Sequence, residues 1–417
     1  MKTNLADFIR DTPEGKEANA ILRACVHCGF CTATCPTYQL LGDELDGPRG
    51  RIYLMKELFE GGQVSTKTQL HLDRCLTCRA CETTCPSGVR YGRLVDIGRN
   101  VVEQRVGRSV GHKLWRSTLK TVIPNPALFN PLLRLGQLAR PVLPGPLARK
   151  IPPRVAPSAW PAPRHARRML VLQGCVQPGI APSINPAMAR LLDRIGISLV
   201  AARDAGCCGA VAYHLNAQAE GLDFMRRNID AWWPYVEQGV EAIVMTASGC
   251  GVMVKEYGEL LKRDPRYSAK AEKISHLTKD ASEILSAERA IEALCARTRP
   301  ANRDSRVTRV AFHSPCTLQH GQQIRGAAEA LLTTAGFQLT PVPDAHLCCG
   351  SAGTYSILQP ALSRRLLQNK ATALESGSPE VIATANIGCL AHIQSGTRLS
   401  VRHWVELLDE AVARTPA

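Results

Sequence analysis

The chain has 417 residues, 45% of them hydrophobic, so it is long enough for two or three domains with packed cores. Its net charge of +15 suits nucleic acid, an anionic membrane surface or an acidic protein partner. Aromatic residues make up only 5%, which argues against a platform for stacking single-stranded bases. No apolar run approaches the roughly 18 residues of a transmembrane helix, so none is predicted.

Residues 1–24 have a helical pattern and lead into the first of two short cysteine runs. The runs contain Cys25, Cys28, Cys31 and Cys35, and then Cys75, Cys78, Cys81 and Cys85, each run ending in proline. Both follow C-x2-C-x2-C-x3-C-P, the bacterial ferredoxin pattern for two [4Fe–4S] clusters, in which the fourth cysteine ligates the cluster of the other run. We therefore expect Cys25, Cys28, Cys31 and Cys85 to bind one cluster, and Cys75, Cys78, Cys81 and Cys35 the other.

Other uses of these cysteines fit less well. The chain has 17 cysteines, and its start shows no export signal, which favours metal ligation in a reducing cytoplasm over disulfides. Zinc ribbons use C-x2-C pairs and not runs of four that end in Cys-Pro. Arginines surround the runs, and guanidinium groups near a cluster raise its reduction potential. We consider this role for Arg49 and Arg51, against the alternative that these side chains are only solvated.

Residues 112–168 are rich in proline, leucine and arginine and are interpreted as a linker, because so many prolines argue against a long helix. Leu132, Leu133, Leu135 and Leu138 form a short apolar patch beside Arg134 and Arg140. Such a patch suits a membrane surface, but it also suits packing against neighbouring domains or a partner subunit.

From residue 169 the chain repeats itself. Apolar, strand-like runs occupy 169–174 and 242–247 in the first copy, and 310–315 and 381–386 in the second. Cysteines follow these runs at matching places: Cys175, Cys207, Cys208 and Cys250 in the first copy, and Cys316, Cys348, Cys349 and Cys389 in the second. Helical patterns at 187–195, 222–236 and 361–374 separate the runs. The alternation predicts a parallel sheet in each copy.

The repeated cysteines lie just beyond the carboxyl ends of predicted strands, where open α/β sheets build their sites. Four thiols in each of two copies favour metal or cluster binding over packing, and thiolates suit iron–sulfur centres or zinc. Cys295 has no counterpart in the other copy and is interpreted as an inert helix residue.

The predicted fold class is α/β, with a small helical ferredoxin-type domain followed by two cysteine-rich repeats with parallel sheets. The expected boundaries are residues 1–111 for the two-cluster domain, 112–168 for the linker, 169–306 for the first repeat and 307–417 for the second.

Taken together, these motifs resemble the family of glycolate oxidase iron–sulfur subunits, which is related to cysteine-rich subunits of heterodisulfide reductase and of anaerobic glycerol-3-phosphate dehydrogenase. The likeness covers nearly the whole chain. Beyond the general motifs, it rests on the segments 21–31, 40–51, 212–218 and 350–355. It implies flavin-containing partner subunits that oxidise glycolate to glyoxylate, with electrons passing through the clusters of this chain toward a quinone.

One departure from the heterodisulfide reductase relatives concerns the end of each repeat. Met253 and His392 occupy the positions where those relatives have a further cysteine. Thioether is a poor ligand for iron, whereas imidazole is a reasonable one, so His392 is either a ligand or a hydrogen-bonded surface residue. We expect the second repeat to hold a metal centre more firmly than the first.

No G-x-G-x-x-G fingerprint follows a strand, so no flavin or nicotinamide site is predicted and no substrate oxidation by this chain alone. We expect an electron-transfer subunit in the cytoplasm, with peripheral contact to the inner face of the cell membrane left open. The nearest alternative is the equivalent subunit of a lactate or glycerol-3-phosphate dehydrogenase complex. A nucleic-acid-binding protein with a structural cluster would fit the charge, but no nucleic-acid-binding signature supports it, so no nucleic-acid partner is expected.

Overall fold

The structure is a computed structural model that describes residues 1–148, 150–297 and 307–413. The chain forms two compact units. The first comprises residues 1–118 together with 346–369, and the second comprises residues 119–345 together with 370–417.

The first unit is helical over its continuous part. Its helices are α1 (Asp7–Arg10), α2 (Pro13–Ala24), α3 (Pro36–Leu41), α4 (Pro48–Phe59), α5 (Thr66–Asp73), α6 (Ala80–Thr84) and α7 (Tyr91–Val106). Fully buried side chains from four of them, Leu22, Met55, Leu72 and Leu94, share one core. Gly98 lets α7 approach α4 closely, because a Cβ there would lie 2.5 Å from the sulfur of Met55. The core therefore fixes the loops that carry the cysteine runs.

The proline-rich segment contains two substantial helices, α8 (Val110–Val122) and α9 (Pro126–Ala139), followed by the short α10 (Gly145–Ala148). The argument from prolines against a long helix is therefore wrong here. Pro126 occupies the first turn of α9, where its missing N–H costs nothing, and Asn125 caps this helix by accepting a hydrogen bond from the Ala127 N–H at 3.0 Å. Pro131 lies inside α9 and is tolerated.

The first cysteine-rich repeat alternates strands and helices. Its elements are β1 (Arg167–Val171), α11 (Gln177–Ile180), α12 (Ile184–Asp193), β2 (Ile197–Val200), α13 (Ala210–His214), α14 (Gln218–Glu237), β3 (Ile243–Met245), α15 (Ser248–Lys255), α16 (Tyr257–Leu260), α17 (Ser268–Leu277), β4 (Thr278–Asp280), α18 (Ala281–Ala287) and α19 (Arg289–Arg297). Cys295 is fully buried in α19.

The second repeat follows the same plan with fewer helices. Its elements are β5 (Arg309–His313), a π-helical turn (Thr317–Gly321), α20 (Ala327–Thr334), β6 (Gln338–Leu339), α21 (Tyr355–Leu358), α22 (Pro360–Glu375), β7 (Val381–Thr384), α23 (Ile387–Gln394), β8 (Ser400–His403) and α24 (Trp404–Ala413).

Both sheets are parallel and share one strand order, β2-β1-β3-β4 in the first repeat and β6-β5-β7-β8 in the second. The α/β class, the two repeats and the parallel sheets predicted from the sequence are thus confirmed. In both sheets the first strand of the repeat lies beside the third, at β1–β3 and β5–β7. Their carboxyl ends meet at the same edge, and that edge receives the cysteines that follow each strand.

A single core joins the two sheets within the second unit, and its fully buried residues include Leu191, Val310 and Trp404. Polar contacts reinforce this junction. Arg190 in α12 donates to Asp409 in α24 at 2.6 Å, and the hydroxyl groups of Ser248 and Thr317 lie 2.8 Å apart. The two repeats are therefore held to each other and not only tethered by the chain.

Residues 346–369 belong to the second repeat by sequence but to the first unit by packing. They contain the pair Cys348 and Cys349, helix α21 and most of α22. The guanidinium group of Arg365 donates to the Leu40 carbonyl at 3.0 Å, which anchors α22 to the last turn of α3. Across the described residues, no helix is long and apolar enough to cross a membrane.

We expect His403 to make the stability of the second unit sensitive to pH. Its Nε2 donates to the Thr246 carbonyl at 2.8 Å, and its Nδ1 accepts from the Val405 N–H at 3.3 Å, so the folded ring is neutral. Burial lowers its pKa to about 4. The neutral ring therefore stabilises the fold fully above about pH 6.5, and this stabilisation is lost as the pH falls toward 4.

The His403 contribution to the free energy of unfolding should fall by about 2 kcal/mol between about pH 7 and pH 5, since only the unfolded ring takes up a proton there. Urea unfolding of the wild type and of His403→Gln at both pH values measures this. Glutamine can donate to Thr246 but does not titrate, so the variant should lose correspondingly less stability. An equal loss in both proteins would contradict the assignment.

Candidate metal centres

The two cysteine runs adopt similar backbone conformations. Four residues within them have positive φ: His27 (56°), Gly29 (85°), Thr77 (53°) and Arg79 (60°). They stand two and four residues after the first cysteine of each run. Left-handed residues at such spacing turn successive N–H groups toward one side, which forms an anion-binding concavity. The Thr77 N–H accordingly lies 3.4 Å from the Cys75 sulfur.

One cavity lies among the cysteines of both runs. It is lined by Cys25, Cys28 and Cys31 of the first run and by Cys81 and Cys85 of the second. Apolar side chains, including those of Ile52 and Val89, close its walls. The structure thus brings Cys85 to the three cysteines with which the ferredoxin pattern groups it.

A second cavity is lined by Cys35, Cys75, Cys78 and Cys81. These four are the reciprocal set. Cys35 is placed by the start of α3, where Pro36 occupies the first helical position and turns the chain. Its sulfur lies 3.3 Å from the Thr37 hydroxyl. Cys81 lines both cavities, so the two sites are neighbours within the first unit.

The pKa values of two thiols in these cavities indicate how they would respond to a bound metal. Burial, followed by the nearby Cys25, raises the pKa of Cys31 to about 11. Burial, with Cys78 and Cys75 close by, raises the pKa of Cys81 well above its ordinary value. Such thiols stay protonated by themselves, whereas a coordinated metal removes the proton. Five thiols line the first cavity and four line the second, with Cys81 in both, so each cavity has enough soft donors for a [4Fe–4S] cluster.

Arg51 is a buried charged residue that lines the second cavity. Its side chain is 1% exposed, and its Nε donates to the His71 carbonyl at 2.7 Å. Burial acts to lower the pKa of this guanidinium, but Tyr91, Cys75, Cys35 and Asp46 outweigh burial and raise the pKa. The alternative that Arg51 is merely solvated is therefore wrong. The guanidinium lies next to the thiols of the second cavity.

Arg49 is placed differently. Its side chain is 39% exposed and pairs with Glu44 at 2.6 Å, and its Nη1 lies against Gly29 at the mouth of the first cavity. Tyr91 and Arg99 were not identified from the sequence. The Tyr91 hydroxyl donates to the Cys75 sulfur at 3.7 Å, and Arg99 donates to the Cys75 carbonyl at 2.6 Å. Neither lies in a recognisable motif, so only the fold reveals them.

The four cysteines of the first repeat are brought together at the edge of the sheet. Side-chain hydrogen bonds connect Cys175 to Cys207, Cys207 to Cys208, and Cys208 to Cys250. The hydrogen bond from Cys175 is the largest cause that lowers the pKa of Cys207, with Cys208, the Gly209 N–H and Arg227 adding to it. Cys207 is therefore the thiol of this group that most readily becomes a thiolate.

Buried polar contacts fix the loop with Cys207 and Cys208. Asn228 donates to the Cys207 carbonyl at 2.9 Å, and the Tyr257 hydroxyl donates to the Cys208 carbonyl at 2.8 Å. Gly209 has φ 90°, and a Cβ there would lie 2.6 Å from the Gly221 carbonyl oxygen, so only glycine fits. The cysteine pair is thus held rigidly, as a preformed ligand set requires.

In the second repeat, Cys316 and Cys389 lie in the second unit and are both buried. Cys316 precedes the π-helical turn after β5, and Cys389 lies in α23, where its sulfur accepts a hydrogen bond from the Asn386 amide at 3.5 Å. His313, at the end of β5, has a ring nitrogen within 4.8 Å of the Cys389 sulfur. The sequence analysis did not select this histidine.

Cys348 and Cys349 lie in the first unit and are buried. The Gly350 N–H donates to the Cys348 sulfur at 3.4 Å, and Gly350, with φ 89°, repeats the conformation of Gly209. Tyr355 in α21 lies near Cys75 as well as Cys348, since burial followed by these two thiols raises its pKa. The grouping of these two cysteines with Cys316 and Cys389 stays a prediction.

Comparison with known families agrees with these motifs. A family described as 4Fe–4S dicluster domain matches residues 21–89, and a family described as cysteine-rich domain matches residues 169–255 and 310–394. The two cysteine-rich matches include three of the four strands of each sheet and the cysteines that follow them, whereas β4 and β8 lie beyond the matched residues.

Similar proteins cover the whole chain. A glycolate oxidase iron–sulfur subunit from Escherichia coli is 56% identical, over 99% of this chain and 100% of the relative. A probable glycolate oxidase iron–sulfur subunit from Bacillus subtilis is 30% identical, over 99% of this chain and 97% of the relative. Lactate utilization protein A of Bacillus subtilis is 25% identical and matches only 56% of this chain. The chain therefore belongs to the family of glycolate oxidase iron–sulfur subunits.

Proposed function

We propose that this chain is the electron-relaying subunit of a glycolate oxidase complex, whose flavin-containing partner subunits oxidise glycolate to glyoxylate. The observation that carries the proposal is the pair of cavities in the first unit, each lined by cysteines from both runs. The 56% identical Escherichia coli relative supports the choice of complex. When bound, [4Fe–4S] clusters supply one-electron carriers between a flavin and a quinone.

The proposed ligand sets follow the cavities. Cys25, Cys28, Cys31 and Cys85 hold one cluster, and Cys75, Cys78, Cys81 and Cys35 hold the other. Arg51 places a positive charge beside the second set, which favours the reduced state of a centre there. The cysteine-rich repeats hold a further iron–sulfur or metal centre, for which the joined thiols of the first repeat and the buried Cys316 and Cys389 of the second provide soft donors.

The ligand assignment predicts that substitutions act across the runs. Cys35→Ser should damage the cluster held with Cys75, Cys78 and Cys81, and Cys85→Ser should damage the one held with Cys25, Cys28 and Cys31. Each variant should lose roughly half of the iron bound by the two runs, because one of two clusters is affected. Mössbauer and EPR spectra of anaerobically purified protein measure this.

The two variants serve as controls for each other, since each should perturb the cluster signal that the other leaves intact. If Cys35→Ser gives the same residual spectrum as Cys28→Ser, the fourth ligand does not cross between the runs.

The proposal assigns substrate oxidation to the partner subunits, because the sequence shows no dinucleotide fingerprint in this chain. We expect the isolated chain to purify without stoichiometric flavin. The complex should reduce a quinone analogue with glycolate as donor, and this activity should fall at least tenfold without this chain, while reduction of a dye directly by the flavin subunits persists.

Lactate and glycerol 3-phosphate are the comparison substrates in the same assay. If the complex prefers either of them, this chain is the equivalent subunit of a lactate or glycerol-3-phosphate dehydrogenase complex. Stoichiometric FAD in the isolated chain would overturn the assignment as an electron relay.

We further propose that α9 lies on the anionic inner face of the cell membrane, where a quinone acceptor is found. Its exposed apolar side chains fall on one helical face: Leu128 (42% exposed), Leu132 (56%), Leu135 (64%) and Leu138 (77%). The opposite face is occupied, since Phe129, Asn130 and Leu133 lie against Gly179 in α11. The apolar face thus points away from α11, against which the helix packs.

The charge around α9 favours an anionic surface. Residues 104–192 contain fourteen lysines and arginines and no aspartate or glutamate, so this segment accounts for nearly all of the net charge of +15. An apolar helical face within such a segment is typical of interfacial helices that bind acidic lipids. An acidic protein surface is the competing occupant.

We expect the purified chain to co-sediment with vesicles that contain phosphatidylglycerol and not with pure phosphatidylcholine. Leu132→Glu should weaken this binding about tenfold or more, since a buried leucine contributes about 1.5–3 kcal/mol. Val307→Glu, at a position that is 41% exposed, is the matched control and should bind as the wild type does.

Unchanged vesicle binding by Leu132→Glu would remove α9 from the membrane contact. If Leu132→Glu weakens binding to the flavin subunits but leaves vesicle binding unchanged, the face is a protein interface.

A further inference from the structure

The two repeats differ at one buried position of their cysteine-bearing edges. When Cys175 is aligned with Cys316, Leu172 falls opposite His313. Leu172 is 4% exposed and belongs to an apolar core, whereas His313 is 2% exposed at the end of β5. The first repeat shows that this position accepts an ordinary aliphatic side chain. Packing alone therefore does not explain the histidine.

Hydrogen bonding does not explain why a histidine is buried at position 313. Its Nε2 is buried and has no hydrogen-bond partner among the described residues. A buried polar atom without a partner destabilises the fold, because it has lost its hydrogen bonds to water. His403, also buried in this sheet, shows the contrasting case, because both of its ring nitrogens are hydrogen-bonded. His313 thus carries an energetic cost that His403 does not.

The ring of His313 lies beside a buried thiol. One of its nitrogens is within 4.8 Å of the Cys389 sulfur. A metal that binds both would stand about 2.0–2.3 Å from each, which allows at most about 4.3 Å between the two atoms, so at most a small movement of the ring brings both atoms onto one ion. Burial, followed by the charges of Lys370 and His392, lowers the pKa of His313 well below its ordinary value. The ring is therefore neutral, which is the form that ligates metals.

The surroundings of Cys389 support a bound centre. Its sulfur accepts the Asn386 amide at 3.5 Å, an outer contact of the kind that orients ligands. The Asn386 carbonyl oxygen in turn accepts the Gly249 N–H at 3.2 Å, so the amide is fixed with its nitrogen toward the sulfur. Cys316 follows three residues after His313 and is also buried.

We propose that His313 is a ligand of the metal or iron–sulfur centre of the second repeat, donating a ring nitrogen to the centre that Cys389 binds. This inference rests on the proposed centre in the cysteine-rich repeats, but not on the substrate of the complex. Replacing a thiolate by neutral imidazole makes a centre less negative and raises its reduction potential, as in Rieske centres. The second repeat would thus differ chemically from the first.

The test uses the full chain, purified anaerobically, with iron and zinc content and X-ray absorption as readouts. His313→Leu copies the residue of the first repeat. It should lose the metal of the second repeat while keeping the clusters of the first unit, and it should be at least as resistant to heat as the wild type from which the metal of the second repeat has been removed. His313→Cys should retain metal but lose the nitrogen scattering contribution and shift the reduction potential downward. His403→Gln is the matched buried-histidine control and should keep the metal.

Cys389→Ser tests whether the second repeat holds a centre at all, separately from whether His313 is one of its ligands. If Cys389→Ser removes metal but His313→Leu keeps both the metal and its nitrogen contribution, His313 is not a ligand although the centre exists. If neither substitution changes metal content or absorption spectra, the second repeat holds no centre and both proposals fail. Retention of nitrogen scattering in His313→Leu together with its loss in His392→Gln would identify His392 as the ligand and overturn the assignment of His313.

Discussion

The first unit depends on a buried ion pair between Arg51 and Asp46. Both side chains are almost completely inaccessible, at 1% and 0% exposure, and Arg74 adds a second guanidinium 2.7 Å from the same carboxylate. Arg51 also donates to Thr37, whose hydroxyl lies next to the Cys35 sulfur. Breaking one partner of such a pair costs about 3–5 kcal/mol, because the other charge stays buried. The loop between the runs is therefore fixed by the same charges that surround the second cavity.

In the second unit, the cysteines are positioned by two copies of the same parallel sheet. A parallel sheet concentrates the residues after its strands at one edge, and two copies of the same strand order produce two such edges. A shared core and contacts such as Ser248 with Thr317 hold the copies together near these edges. The cysteines are thus carried on segments whose backbone has little freedom, which suits their proposed role as metal ligands.

The sequence predicted those parts of the molecule that a local pattern determines. Ligand spacing in the cysteine runs reflects the size of a cluster, and the apolar runs of β1, β3, β5 and β7 reflect burial on both sheet faces. The strands β2, β4, β6 and β8 lie at the edges of the two sheets, and their sequences contain no comparable continuous apolar run, so they gave no signal. Helix α9 was missed because proline content was weighed without regard to position, and Pro126 at a first turn favours a helix. The packing of residues 346–369 into the first unit is a tertiary effect that no local pattern contains.

The copies of the repeat have kept the sheet and diverged at its edge. The first copy has Met253 and Leu172 where the second has His392 and His313. The second copy therefore has imidazole nitrogens at two positions where the first does not, while the cysteines occupy the same positions in both. In the first copy, Arg227 and the Gly209 N–H compensate the negative charge on Cys207. In the second, the imidazole of His313 would, as a ligand, add a donor without adding negative charge. Two edges with the same thiols but different charge compensation would stabilise different oxidation states, which is what a directional relay of electrons needs.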